Sequence, residues 1–107
     1  MTDAVHALLD QYRTAMMRAD ELRADADLAE ERRKIILAQQ SPDGLSERKA
    51  DNVARTSAPY LAHIETQHAS NVAAAKAKSE VEYLRMRLEI WRTRESSRRE
   101  YAKHGDR

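Results

Sequence analysis

The chain has no cysteine and no phenylalanine, and only two glycines, two prolines and one tryptophan among its 107 residues. The absence of cysteine excludes disulfides, thiolate nucleophiles and thiolate metal sites, and nothing calls for an oxidising compartment. With so few glycines and prolines there are few places to turn sharply, so long helices are expected. No run of about 18 apolar residues exists, which excludes a spanning helix. The opening MTDAVHALLDQY carries acids where a signal peptide carries bases, so the expected location is cytoplasmic.

What the chain does have is charge. Charged residues make up 35% of it, yet the net charge is only +1. Residues 1–45 hold six Lys/Arg against nine Asp/Glu, residues 46–75 three against three, and residues 76–107 ten against six. The basic surplus therefore sits in the last third.

From Val5 a three-and-four spacing runs through Leu8, Tyr12, Ala15, Ala19, Leu22, Ala26, Ala29, Arg33 and Ile36. Kept over four heptads, it specifies a coiled-coil-like seam, and its alanines allow a neighbouring helix to approach closely. Arg33 is the one break. Ser41, Pro42, Asp43 and Gly44 are adjacent turn formers, and Ser46 is a ready N-cap. Pro59 interrupts the chain again, with Ser57 or Ala58 as the cap of the next helix. The expected architecture is all-α and a single domain over 1–107. It comprises a helix over 3–40, capped by Thr2 or Asp3, a turn at 41–45, a short helix over 46–56, a long helix over 59–103 and a tail at 104–107. Together these form a long antiparallel helical hairpin.

In the long helix Leu61, Val72 and Tyr83 stand eleven apart, as do Ile64, Ala75 and Met86, and His68, Ser79 and Ile90. That repeat keeps one face of a helix nearly straight. A bend centred on Asp43 would place Leu22 near Ile64, Ala15 near Val72, Val5 near Val81, and Ile36 near Ala50 and Val53. On that register the apolar residues after about Tyr83 have no partner within the hairpin. Val81, Tyr83, Leu84, Met86, Leu88, Ile90 and Trp91 are therefore the expected interface of a homodimer that closes into a helical bundle, its two overhangs antiparallel.

No phosphate loop, nucleophile elbow or zinc-protease signature is present, and the expectation is a protein that is not an enzyme, with no cofactor and no small-molecule substrate. Glu65 and His68 have the spacing that puts a carboxylate and an imidazole on one helix face, but no true second pair completes a di-metal set, so no metal is expected. The remaining candidates are Arg92, Arg94, Arg98, Arg99, Tyr101 and Lys103, which could contact a partner protein or single-stranded nucleic acid. Glu95 with Arg99, and Arg85 with Glu89, stand at the i,i+4 spacing by which an exposed helix supports itself.

The stretch YLRMRLEIWRTRESSRREYAK, preceded by the Ser57-Ala58-Pro59-Tyr60 break and an alanine-rich helix, resembles the C-terminal part of small helical accessory proteins of tailed bacteriophages and prophages. The resemblance covers residues 57–103. It implies an accessory role beside recombination and replication functions, with Trp91, Arg92, Arg98 and Arg99 as candidate residues. The expectation it supports is protein–protein interaction that recruits or inhibits host machinery such as a defence nuclease. The alternative is a single-stranded-DNA-associated factor of recombination or replication using the Arg-rich helix.

Overall fold

The computed structural model describes residues 2–105 and is all-α, with helices α1 (Thr2–Gln40), α2 (Glu47–Arg55) and α3 (Ala58–Gly105). The expected bounds hold to within two residues. The start of α1, where Thr2 or Asp3 is the expected cap, lies at the edge of the described residues, and residues 106 and 107 of the expected tail lie outside them.

The turn is built as its residues dictate. Gly44 adopts φ +83°, where a side chain is disfavoured. The Ser46 hydroxyl caps α2 by accepting from the Lys49 amide at 3.4 Å. At the second break the Leu61 amide donates to the Ser57 carbonyl, while the Ser57 hydroxyl turns back to the Ala54 carbonyl at 2.6 Å. Ser57 thus ends α2 with its side chain and starts α3 with its backbone.

The chain forms two compact units, Asp20–Lys76 and the pair Met1–Ala19 with Ala77–Arg107. In the second of these, Leu8 and Ala15 of α1 bury against Leu84 of α3, with Tyr12, Val81 and Leu88 packed around them. Ala4, Val5 and Leu8 share a groove with Arg87, Ile90, Trp91 and Arg94, whereas Ala15 and Arg18 share one with Glu80 and Leu84. Rising along α1 means descending along α3, so the pairing is antiparallel. In the Asp20–Lys76 unit Ala29 lies beside His63, whose ring bonds its carbonyl at 2.7 Å, while Arg33, one turn further along α1, interacts with Tyr60, so α3 again descends as α1 rises.

The α1 seam is the expected one, since every residue from Val5 to Ile36 in the three-and-four series is buried or half-buried. The return register is not. A bend at Asp43 puts residue 57 opposite Ala29, but His63 is there, a slip of six residues or about 9 Å along the helix. Residues 41–57 are consumed by the turn, the nine-residue α2 and the Thr56–Ser57 break, so the return helix starts later than a single bend implies. Within α2 the fully buried residue is Ala54, while Val53, expected opposite Ile36, is 45% exposed.

The face that α3 turns inward also differs. Tyr60, His63, Gln67, Ser70 and Ala74 in one unit, and Ala77, Val81, Leu84 and Leu88 in the other, form its covered row, again at steps of three and four, with Ala73 and Glu95 half-buried outside that row. Five of these nine are small or polar. They fit because α1 presents alanines, Ala15 and Ala29 being buried and Ala19 and Ala26 half-buried. Two small-residue surfaces let backbones come close without room for large side chains. The eleven-residue row is the one left outside.

Candidate interaction surface

Within the unit that holds the chain ends, the seven residues expected at a dimer interface divide into two sets. Leu84 is 5% exposed and Val81 and Leu88 pack beside it, all covered by α1. They are not surplus surface, which removes the overhang as the reason for dimerisation. Tyr83, Met86 and Ile90 are 58%, 59% and 49% exposed, and Trp91 is 38% exposed at the groove formed with Val5 and Leu8. At 100° per residue, Met86 lies about 200° from Leu84 and Ile90 about 200° from Leu88, so Tyr83, Met86 and Ile90 project largely away from the packed face of α3, although Ile90 also borders the groove with α1 in which Trp91 sits.

The local chemistry of that side is ordered. Tyr83, Met86 and Ile90 form a three-and-four row, with Arg87 set 5.9 Å from the Tyr83 ring centre. Met86, Glu89, Ile90, Thr93 and Arg94 bound a shallow depression. Glu82 and Glu89 lie along one edge of the row, Arg87 and Arg94 along the other, all exposed. Among the described residues none of these four takes part in an ion pair.

Beyond the groove with Ala4 and Val5, α3 continues for about three more turns. Arg92, Arg94, Arg98, Arg99, Tyr101 and Lys103 are all exposed there, Tyr101 to 81%. Arg98 and Arg99 both reach Glu95, at 4.0 and 3.8 Å. Of the two i,i+4 supports read from the sequence, Glu95 with Arg99 is formed; Arg85 with Glu89 is not among the ion pairs of the described residues.

In the Asp20–Lys76 unit, Leu61, Ile64 and Val72 are likewise exposed. Its inward face carries a polar set that the apolar spacing alone does not mark. Arg33, the break in the α1 seam, donates to Glu30 at 2.7 Å, and the Tyr60 hydroxyl beside it accepts from Arg55 at 3.3 Å. Glu30 accepts from Gln67 as well, and these two partners, Arg33 first, hold its carboxyl below the ordinary value of 4.5. The same contacts raise Arg33 further above its already high value. The Ala29 carbonyl can only accept, so His63 must carry its proton on Nε2. Continuing the heptad through α3 from Leu84 back to Tyr60 would have found these residues.

Glu65 and His68 are both exposed. Among the described residues, no three His, Cys, Asp or Glu side chains gather as metal ligands, and no helix is long and apolar enough to cross a membrane. The chain matches no protein-family model, no curated protein and no solved structure.

Proposed function

We propose that the chain is a non-enzymatic accessory protein of the phage type, acting in the cytoplasm of a bacterial host by protein–protein interaction, as a homodimer. Its target is host machinery such as a defence nuclease, which it recruits or inhibits. The observation that carries this reading is the row Tyr83, Met86 and Ile90, left outside although α1 already covers Leu84 and Leu88. A large apolar row on a helix whose opposite face is already packed marks a surface for another protein.

The second reading, association with single-stranded DNA, draws on the exposure of Arg92, Arg94, Tyr101 and Lys103 in one stretch of α3. Against it, Glu95 neutralises part of the positive charge of Arg98 and Arg99. Affinity purification of the tagged chain from its host, with and without nuclease treatment, separates the two. Protein partners that survive nuclease are the expected outcome. Recovery that depends on nucleic acid, together with oligonucleotide binding that weakens steeply with salt, would replace the first reading by the second.

A further inference from the structure

The edges of the exposed row on α3 specify its occupant more narrowly than apolarity does. With Tyr83 and Ile90 at the a positions of a heptad and Met86 at d, Glu82 and Glu89 fall at g, and Arg87 and Arg94 at e. In a parallel pair of identical helices a g residue faces the e residue five further along its partner. Glu82 then faces the second copy's Arg87, and Glu89 its Arg94, each twice by symmetry. An antiparallel pair sets g against g and e against e, so that Glu meets Glu and Arg meets Arg. The charge pattern thus favours one orientation and opposes the other.

The surface relief agrees. Met86, Glu89, Ile90 and Thr93 have the i, i+3, i+4, i+7 spacing of a coiled-coil hole, and these four residues, with Arg94, bound the depression on this side of α3. The side chain that belongs in that hole is the second copy's Ile90. The four charges at the edges have no ion-pair partner among the described residues, and the one contact made by any of them is that of Arg87 with the Tyr83 ring of the same row.

We infer that two copies of this chain pair in parallel and in register through the outer face of α3, with Tyr83, Met86 and Ile90 at the seam and Glu82–Arg87 and Glu89–Arg94 pairs across it. This rests on the dimeric reading above and names its face and orientation. It replaces the antiparallel overhang dimer expected from the sequence.

Because the chain has no cysteine, single-cysteine variants report the geometry directly. Tyr83→Cys, Met86→Cys and Ile90→Cys should each form a disulfide-linked dimer under mild oxidation, while Asp20→Cys, exposed on α1, should not. In an antiparallel pair only a residue near the two-fold axis can link to its own copy, so cross-linking at one of the three positions alone overturns the inference. A charge swap gives an independent reading by sedimentation. Glu89→Arg should weaken the dimer roughly tenfold, and adding Arg94→Glu should restore it, with helical content unchanged throughout. A dimer that Glu89→Arg strengthens would be antiparallel, leaving protein interaction as the function but refuting this pairing. A wild-type chain that stays monomeric refutes the pairing and the dimer together, whereas the host purification tests the interaction reading by itself.

Discussion

Glu30 is the residue on which the solution behaviour of the Asp20–Lys76 unit depends most clearly. Arg33 and Gln67 hold its carboxyl below 4.5, so the charged form is favoured in the folded chain relative to the unfolded one. The stabilisation is complete above pH 4.5 and is lost as pH falls through the lower folded-state value. Thermal midpoints measured from pH 7 downward should therefore drop more steeply for the wild type than for Glu30→Gln; parallel curves would contradict this. Gly44 makes a second residue-scale prediction. Its φ is +83° and nothing lies within 4 Å of where a Cβ would sit. Gly44→Ala should thus cost only the backbone penalty, about 1–2 kcal/mol in denaturant unfolding, and Gly44→Asn markedly less.

At the scale of the helices, the two faces of α3 should respond oppositely to truncation. Leu84→Ala removes a buried side chain from the cluster with Leu8 and Ala15 and should cost about 2–5 kcal/mol. Met86→Ala, on the exposed face, should change the stability of the isolated chain by less than about 0.5 kcal/mol. Equal losses would mean that the outer face is packed within the chain. The contrast also explains how far the sequence could be read. The α1 seam was legible because Val5, Leu8, Tyr12, Leu22 and Ile36 mark it with large apolar side chains. The α3 seam was not, because the alanines of α1 leave room only for residues such as Ser70, Ala74 and Ala77, or call for polar partners such as His63 and Gln67. Hydropathy therefore pointed to the eleven-residue row, which is the exposed one. The six-residue slip has a related cause: turn formers at Ser41–Gly44 identify where the chain bends, but not how many residues α2 and the Thr56–Ser57 break withdraw from the return path.

At the scale of the whole molecule, the inner helix faces hold the protein together, and we read the outer α3 face as the one that makes contacts. The inner seam is rich in alanine, and the Arg33–Glu30, Gln67–Glu30, His63–Ala29 and Arg55–Tyr60 hydrogen bonds explain it by contacts within the chain. The outer row has no such explanation within the chain. The measurement that tests this most directly is sedimentation equilibrium of the wild type beside an Ile90→Glu variant, with circular dichroism of both. The wild type should rise with concentration from 12.3 kDa toward twice that mass, while the variant stays at the monomer mass with its helical signal intact. A wild-type chain that remains at 12.3 kDa across the series, or an Ile90→Glu variant that dimerises as well as the wild type, would contradict the account.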